Sequence, residues 1–253
     1  MNTTSIEINV LGPLQTRCGT GLAQLSGTKM RSILALLAYR AGDTVRRDEL
    51  VEELALDRST GDPVNALHAN MTRLRKWIQF HSPDDRVLET VGSGYRLNIE
   101  RSAVDAHRFA TRVENALNLA PAAPSVVAAV LDDALALWRG DALLDVFDGP
   151  LLCSIADELH RLRAASREEL VHAWIELGRH QKAIVNAKRF LVDDPLNERL
   201  HSALVVALRR IGRHAEAVES YQSAERILRD ELGIPPSTGL RASLHDRATV
   251  MAP

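Results

Sequence analysis

D-P-V-N-A-L-H-A-N-M-T-R-L-R-K-W-I, residues 62–78, predicts a helix whose two faces have opposite characters. Asp62 is a good N-cap, and Pro63 suits the first helical position, where no N–H is missed. At 100° per residue, Leu67, Met71, Leu74 and Ile78 fall within about 40° of one direction, a core stripe. Opposite them stand Asn65, Ala69, Thr72, Arg73 and Lys76, with Arg75 on the flank. An amide, a small apolar group, a hydroxyl and cations are the side chains that read base edges and clamp phosphates in a DNA groove. Cations near a helix C-terminus also favour the macrodipole, and most such faces are simply solvated. The neighbouring elements therefore decide the reading.

Before this helix, Ile6–Thr16 reads as strands broken at Gly12-Pro13. Ser26 or Thr28 is expected to cap a helix carrying Ile33, Leu34, Leu37 and Ala41, ended by Gly42. A short helix from Arg46 to Leu54 turns Leu50, Val51 and Leu54 inward. After the Asp62 helix, Val87–Val91, the turn Gly92-Ser93-Gly94 and Tyr95–Ile99 predict a β-hairpin. Strands, three helices and a hairpin are the order of a winged helix-turn-helix behind a small N-terminal sheet, an α+β domain.

From Val104 onward strand signals vanish. L-G-R-H-Q-K-A-I at 177–184 matches I-G-R-H-A-E-A-V at 211–218, an offset of 34 residues, and Leu170/Leu204 and Ala173/Ala207 keep the register. That period, with small residues at fixed places, is the tetratricopeptide signature of stacked helix hairpins. Gly178, Ala183 and Pro195 fit the pattern, whereas the second copy has Arg229 at the proline position. Helices at Ser125–Trp138 and Glu158–Leu177 are expected to complete the stack, with Trp138 and Trp174 as packing anchors. His180 and His214, at equivalent turns, are expected to cap helices. The predicted division is a winged-helix domain over 1–101 and an all-α, tetratricopeptide-like domain over 102–253, with Asp105 capping the first helix of the latter.

Composition narrows the function. The chain has 253 residues, 45% hydrophobic and 25% charged, as in soluble globular proteins. No apolar run approaches the roughly 18 residues that span a bilayer, and no leader pattern opens the chain, so a cytoplasmic protein is expected. Cys18 and Cys153 form no C-x-x-C and are expected to be reduced. Residues 1–100 carry 12 cations and 12 anions, yet residues 62–80 carry three against one. Positive charge is thus concentrated locally, which suits a specific binder with salt-sensitive affinity. Ser26-Gly27-Thr28-Lys29 lacks the rest of a phosphate loop, and the nine histidines show no metal-ligand spacing. No catalytic group, metal or cofactor is expected.

In this setting V-L-G-P-L at 10–14, T-R-L-R-K at 72–76, G-Y-R-L at 94–97, A-L-x-L-W-R-G at 134–140, E-R-L-H at 198–201 and L-R-D-E-L-G-I-P-P at 228–236 stand in one order. With them the chain resembles the Streptomyces antibiotic regulatory proteins, activators that join an OmpR-type winged helix to a bacterial transcriptional activation domain. The resemblance implies that the third helix enters the major groove. It makes Arg73 the foremost base reader, with Ala69 or Thr72 nearby, and gives phosphates to Asn70, Arg75 and Lys76. Thr90, Ser93 and Arg96 belong to the implied wing along the minor groove. It further implies binding to tandem direct repeats in double-stranded DNA by pairs of protomers. RNA polymerase would be recruited through its sigma factor and the C-terminal domain of its alpha chain, and the loop Asp57–Asp62 is a candidate contact. Two positions depart from the pattern: Ala55 stands where many members have Trp, and Val91 where many wings have Arg.

The expected function is a non-enzymatic, pathway-specific activator of antibiotic biosynthesis. Two alternatives remain open at this point: a protein-interaction adaptor built on the helical stack, and a repressor using the same DNA contacts.

Overall fold

The computed structural model describes residues 6–19, 21–56, 62–82, 84–120, 122–146 and 149–245. Its contacts divide the chain into two compact units, 1–112 with 134–163, and 113–133 with 164–253. The sequence division at 101/102 follows motifs; the compact units cut across it, because residues 134–163 pack with the winged helix.

The first unit begins with an antiparallel sheet of β1 (Ile6–Asn9), β2 (Gln15–Cys18) and β3 (Gly21–Ala23). In β1, Ile6 and Ile8 turn inward while Glu7 faces solvent, the period of two that a half-buried strand requires. Helix α1 (Thr28–Tyr39) buries Ile33, Leu34, Leu36 and Leu37 completely. Its N-cap is Gly27, with no side-chain cap, so neither Ser26 nor Thr28 has the capping role expected of it.

β4 (Thr44–Arg46), absent from the sequence reading, leads into α2 (Arg47–Glu53). Leu50 and Leu54 are buried; the place expected for Val51 goes instead to Glu53, 1% exposed. Helix α3 spans Pro63–His81, and its buried residues are Leu67, Met71, Leu74 and Ile78, the stripe expected from spacing. β5 (Leu88–Val91) and β6 (Gly94–Leu97) form the hairpin, and β4 joins β6 to make a sheet of order β4-β6-β5. Gly94 lies in β6 rather than in the turn, paired with both Arg46 and Val91. A Cβ there would collide with the Val45 carbonyl, so the close approach of β4 requires glycine.

Buried carboxylates fasten the rest of the unit. Asp105 is the first residue of α4 (Asp105–Leu119), but its oxygens accept the N–H groups of Val10 at 2.7 Å and Leu11 at 3.1 Å. It finishes the end of β1 rather than capping its own helix, which corrects the expected role. Desolvation raises its pKa, against the pull of those two N–H groups and of Arg139. Helix α5 (Pro124–Leu135) ends before Trp138, which therefore lies on a connecting segment in the first unit and not on a helical stripe of the second. There Phe109 meets it edge-on at 5.4 Å and Arg163 lies 4.4 Å over its ring. Beyond it, Arg139 N–H donates to the Leu11 carbonyl and Leu143 N–H to that of Val10, both at 2.8–2.9 Å. Asp145 accepts from Leu14 N–H and pairs with Arg31. V-L-G-P-L and W-R-G, read as separate motifs, thus bond to one another.

Helix α6 (Pro150–Glu176) starts well before the Glu158 expected from sequence. Proline at its first position needs no partner, and Glu53 accepts from Leu151 N–H at 2.7 Å and Leu152 N–H at 3.0 Å. A carboxylate at a helix N-terminus is favoured by the exposed N–H groups and by the macrodipole.

In the second unit, α7 (His180–Asp193), α8 (Glu198–Arg210) and α9 (His214–Leu232) follow the end of α6, and α10 (Thr238–Ser243) packs on α8. The 34-residue repeat has a clear physical basis. Gly178 and Gly212 take φ of 69° and 77°, and the N–H groups of Arg179 and Arg213 return to Trp174 and Leu208. Each is a left-handed helix stop of the kind glycine favours. The N-caps that follow are Arg179 and Arg213 without side-chain caps, so His180 and His214 begin their helices and do not cap them. Trp174, 1% exposed, is the anchor expected, with the Lys182 ammonium 4.4 Å from its ring centroid. His201 is buried and bonds the Pro195 carbonyl at 2.9 Å.

Candidate nucleic-acid interface

Helix α3 presents the candidate residues because its opposite stripe is held in the core. Asp62 accepts from Val64 N–H at 2.9 Å and fixes the first turn. Trp77 donates its indole N–H to the Gln24 carbonyl at 2.8 Å, fixing the last turns against the strand β3 end. Between these anchors Asn65, Ala69, Thr72, Arg73 and Lys76 are exposed, and Asn70 and Arg75 half-buried.

The side chains differ in readiness. Asn70 Nδ2 donates to the Ala66 carbonyl and Thr72 Oγ1 to that of His68, both at 2.9 Å, so each is turned back along its own helix. Arg75 reaches the wing, donating from Nη2 to Thr90 Oγ1 at 3.1 Å. The structure thus brings Arg75 and Thr90 together, linking the helix flank to β5. Among the described residues, Arg73 and Lys76 have no hydrogen bond or ion pair, and their charge is directed to solvent. A cation without a carboxylate partner retains its full attraction for phosphate.

On the wing, Ser93 is exposed in the turn with Gly92. Arg96 stands apart from that tip: it lies opposite Thr44 in the β4–β6 register and donates from Nη2 to Thr44 Oγ1 at 3.1 Å. Val91, at the position where arginine is common, is a paired strand residue beside Gly94.

Sequence reading missed Arg47. Its backbone N–H donates to the Ser93 carbonyl at 3.0 Å, and its guanidinium lies 5.9 Å over the Tyr95 ring. It ties the start of α2 to the wing turn and sets a further cation beside Ser93. The signal was Arg46-Arg47 directly before the second helix. Among the described residues only one of the two is neutralised: Arg46 bonds Asp48 through Nε at 3.0 Å and Nη2 at 2.6 Å, which holds that carboxyl below its ordinary pKa.

At the junction of α2 with the following loop, Ala55 adopts φ of 44°. Ala55 N–H returns to Glu52 and Leu56 N–H to Val51, a left-handed helix stop built without glycine. Most of the expected polymerase-contacting loop, residues 57–61, lies outside the described residues.

Among the described residues no helix is long and apolar enough to cross a membrane, and no group of three or more His, Cys, Asp or Glu is placed to hold a metal.

Comparison with known proteins places the chain. Residues 23–97 match the family "Transcriptional regulatory protein, C terminal", and residues 104–247 match "Bacterial transcriptional activator domain". The transcriptional regulator RedD of Streptomyces coelicolor is 34% identical over 239 residues, 93% of this chain and 68% of that protein. The regulatory protein DnrI of Streptomyces peucetius is 28% identical over 248 residues, 95% of this chain and 91% of that one. A solved structure of Mycobacterium tuberculosis EmbR, in complex with a low-affinity phosphopeptide, superposes with a TM-score of 0.88 at 27% identity, covering 95% of this chain and 64% of that one. The chain belongs to the Streptomyces antibiotic regulatory protein family of transcriptional regulators.

Proposed function

We propose that the protein is a cytoplasmic, sequence-specific activator that binds tandem direct repeats of double-stranded DNA near a promoter and recruits RNA polymerase, controlling an antibiotic pathway. Residues 1–101 supply DNA binding and 102–253 activation. The observation that carries this reading is the exposed α3 face, where Arg73 and Lys76 are unneutralised among the described residues and opposite a fully packed stripe. In this reading α3 lies in the major groove, where Arg73 donates two hydrogen bonds to a guanine edge. Ala69, Thr72 and Asn65 contact neighbouring bases. Lys76, Arg75 and Asn70 hold phosphates, and Thr90, Ser93 and Arg96 follow the backbone at the wing, with Arg47 beside them. A single helix reads only a few base pairs, so two protomers on adjacent repeats are needed for useful specificity. Recruitment acts through the sigma factor and the C-terminal domain of the polymerase alpha chain.

The test is selection of bound duplexes from a genomic fragment library with wild-type protein and Arg73→Ala in parallel. The wild type is expected to enrich a tandem repeat, and the variant to lose about 1–3 kcal/mol of specific binding per protomer. Equal enrichment by both proteins overturns the assignment of the reading face. Absence of any enriched sequence overturns the DNA-binding reading itself. A reporter transcribed from the selected site is expected to rise with the protein; a fall identifies a repressor.

A further inference from the structure

In the second unit, the exposed faces of α6 and α8 border a trough formed by two clefts of about 470 and 260 Å³ that share His172 and Arg199. Its floor is apolar, with Val127, Ala173, Ile175 and Val206 among the lining residues. Its rim carries Glu168, Glu169, Glu176 and Glu198 and one lining cation, Arg199, while Glu176 also pairs with Arg210 at 3.9 Å. Arg199 is itself taken by Glu168 at 3.1 Å, and Glu198 accepts from Ser237 N–H at 2.6 Å. Glu169 has no hydrogen bond or ion pair among the described residues.

The same unit carries the complementary shape. On α7, Gln181, Val185, Lys188 and Val192 recur at helical spacing along one stripe. The two valines are 57% and 80% exposed, and Lys188 and Arg189 stand exposed between them. The inward stripe of that helix, Ala183, Ile184, Ala187 and Phe190, is already packed, so this outer stripe faces away from the chain's own core. An apolar ridge with two cations and an apolar trough rimmed by Glu169, unpaired among the described residues, thus occur on different helices of one unit.

We infer that the occupant of the trough is a second copy of this chain, whose α7 ridge enters it head to tail. The trough and the ridge are different surfaces, so the contact is heterologous and repeats in one direction. Direct repeats on DNA call for that arrangement, and the contact deepens the paired-protomer part of the proposed function. One helix stripe buries less than the roughly 1,600 Å² of a standard stable interface. Free copies therefore associate weakly, and DNA that holds two copies side by side supplies the high effective concentration that closes the contact.

The test is made without DNA, so that its failure and failure of the DNA-binding reading are separate results. Sedimentation velocity at low salt, with protein raised toward the millimolar range, follows the association of wild type, Glu169→Lys, Lys188→Glu and the double variant. Lys188 is exposed and Glu169 half-buried at the rim, and circular dichroism checks that each variant is folded. The wild type is expected to associate reversibly, and each single variant about three- to tenfold more weakly, because like charges then face each other. The double variant is expected to regain association, as is an equimolar mixture of the two single variants. A wild type that stays monomeric, single variants that associate like wild type, or a double variant that does not recover would each overturn the inference.

Discussion

Replacing Glu53 by alanine is expected to loosen the start of α6 and to cost the first unit about 3 kcal/mol. The carboxylate is 1% exposed and receives two N–H groups at 2.7 and 3.0 Å. Hydrogen bonds to a charged group contribute about 1.5–3 kcal/mol each, and an orphaned buried donor carries its full desolvation penalty. Leu152 is 2% exposed, so its N–H finds no substitute partner; Leu151 is half-buried and recruits water, which halves its share. Loss of the anion from the helix N-terminus adds a few tenths of a kcal/mol. For a unit of this size the melting temperature is expected to fall by about 6–12 °C. Glu53→Gln keeps the shape but turns an amide NH₂ toward an N–H donor, and is expected to cost about 2 kcal/mol. Hydrogen exchange gives the local readout, with the Leu151 and Leu152 amides losing protection in both variants. If Glu53→Ala melts with the wild type and those amides keep their protection, the carboxylate does not hold α6 and the reasoning is wrong.

Two further predictions concern stability. Ala55→Gly relieves a left-handed alanine at φ 44°; after the greater chain entropy of glycine is subtracted, a gain of about 0.5 kcal/mol is expected. A lower urea midpoint for that variant would show that the turn is not strained. Burial depresses the pKa of His201 below its ordinary 6.5, so below that pH the unfolded chain binds more protons than the folded one. Its contribution is fully present above pH 6.5 and is lost as pH falls through the depressed value, a window that His107, depressed in the same direction, shares. His201→Gln keeps a donor for the Pro195 carbonyl and should flatten part of this dependence; an unchanged pH profile would exclude His201 as a source.

What could be read from sequence followed the range of each interaction. The α3 stripe was legible because helical spacing alone selects Leu67, Met71, Leu74 and Ile78, and burial respects that spacing wherever a helix lies on a core. The glycines of the 34-residue repeat were legible for a similar reason, each stopping a helix within its own few residues. β3 and β4 were not, since three-residue strands leave no alternation to detect. The carboxylates misled most. An aspartate before a helix reads as a cap, yet the partners of Asp105 lie 94 and 95 positions away. Glu53 carries no local sign of its partners, the N–H groups of Leu151 and Leu152, 98 and 99 positions away. At the candidate interface, the outward face of α3 was readable, but the fastening of Arg47 to the wing turn and the turn of Arg96 toward Thr44 depend on strand β4.

The bonding of V-L-G-P-L to the segment after Trp138 bears on where the chain can be divided. The segment after Trp138 falls within the family match of residues 104–247, whereas V-L-G-P-L precedes the other match, which begins at residue 23. Yet the backbone of Val10 and Leu11 is completed by Asp105, Arg139 and Leu143. A joint placed between residues 97 and 104 would strip that edge of its partners, and any foreign second part would have to restore them. A transplanted N-terminal part is therefore expected to keep this edge only when residues 134–163 travel with it, as they belong to the same compact unit.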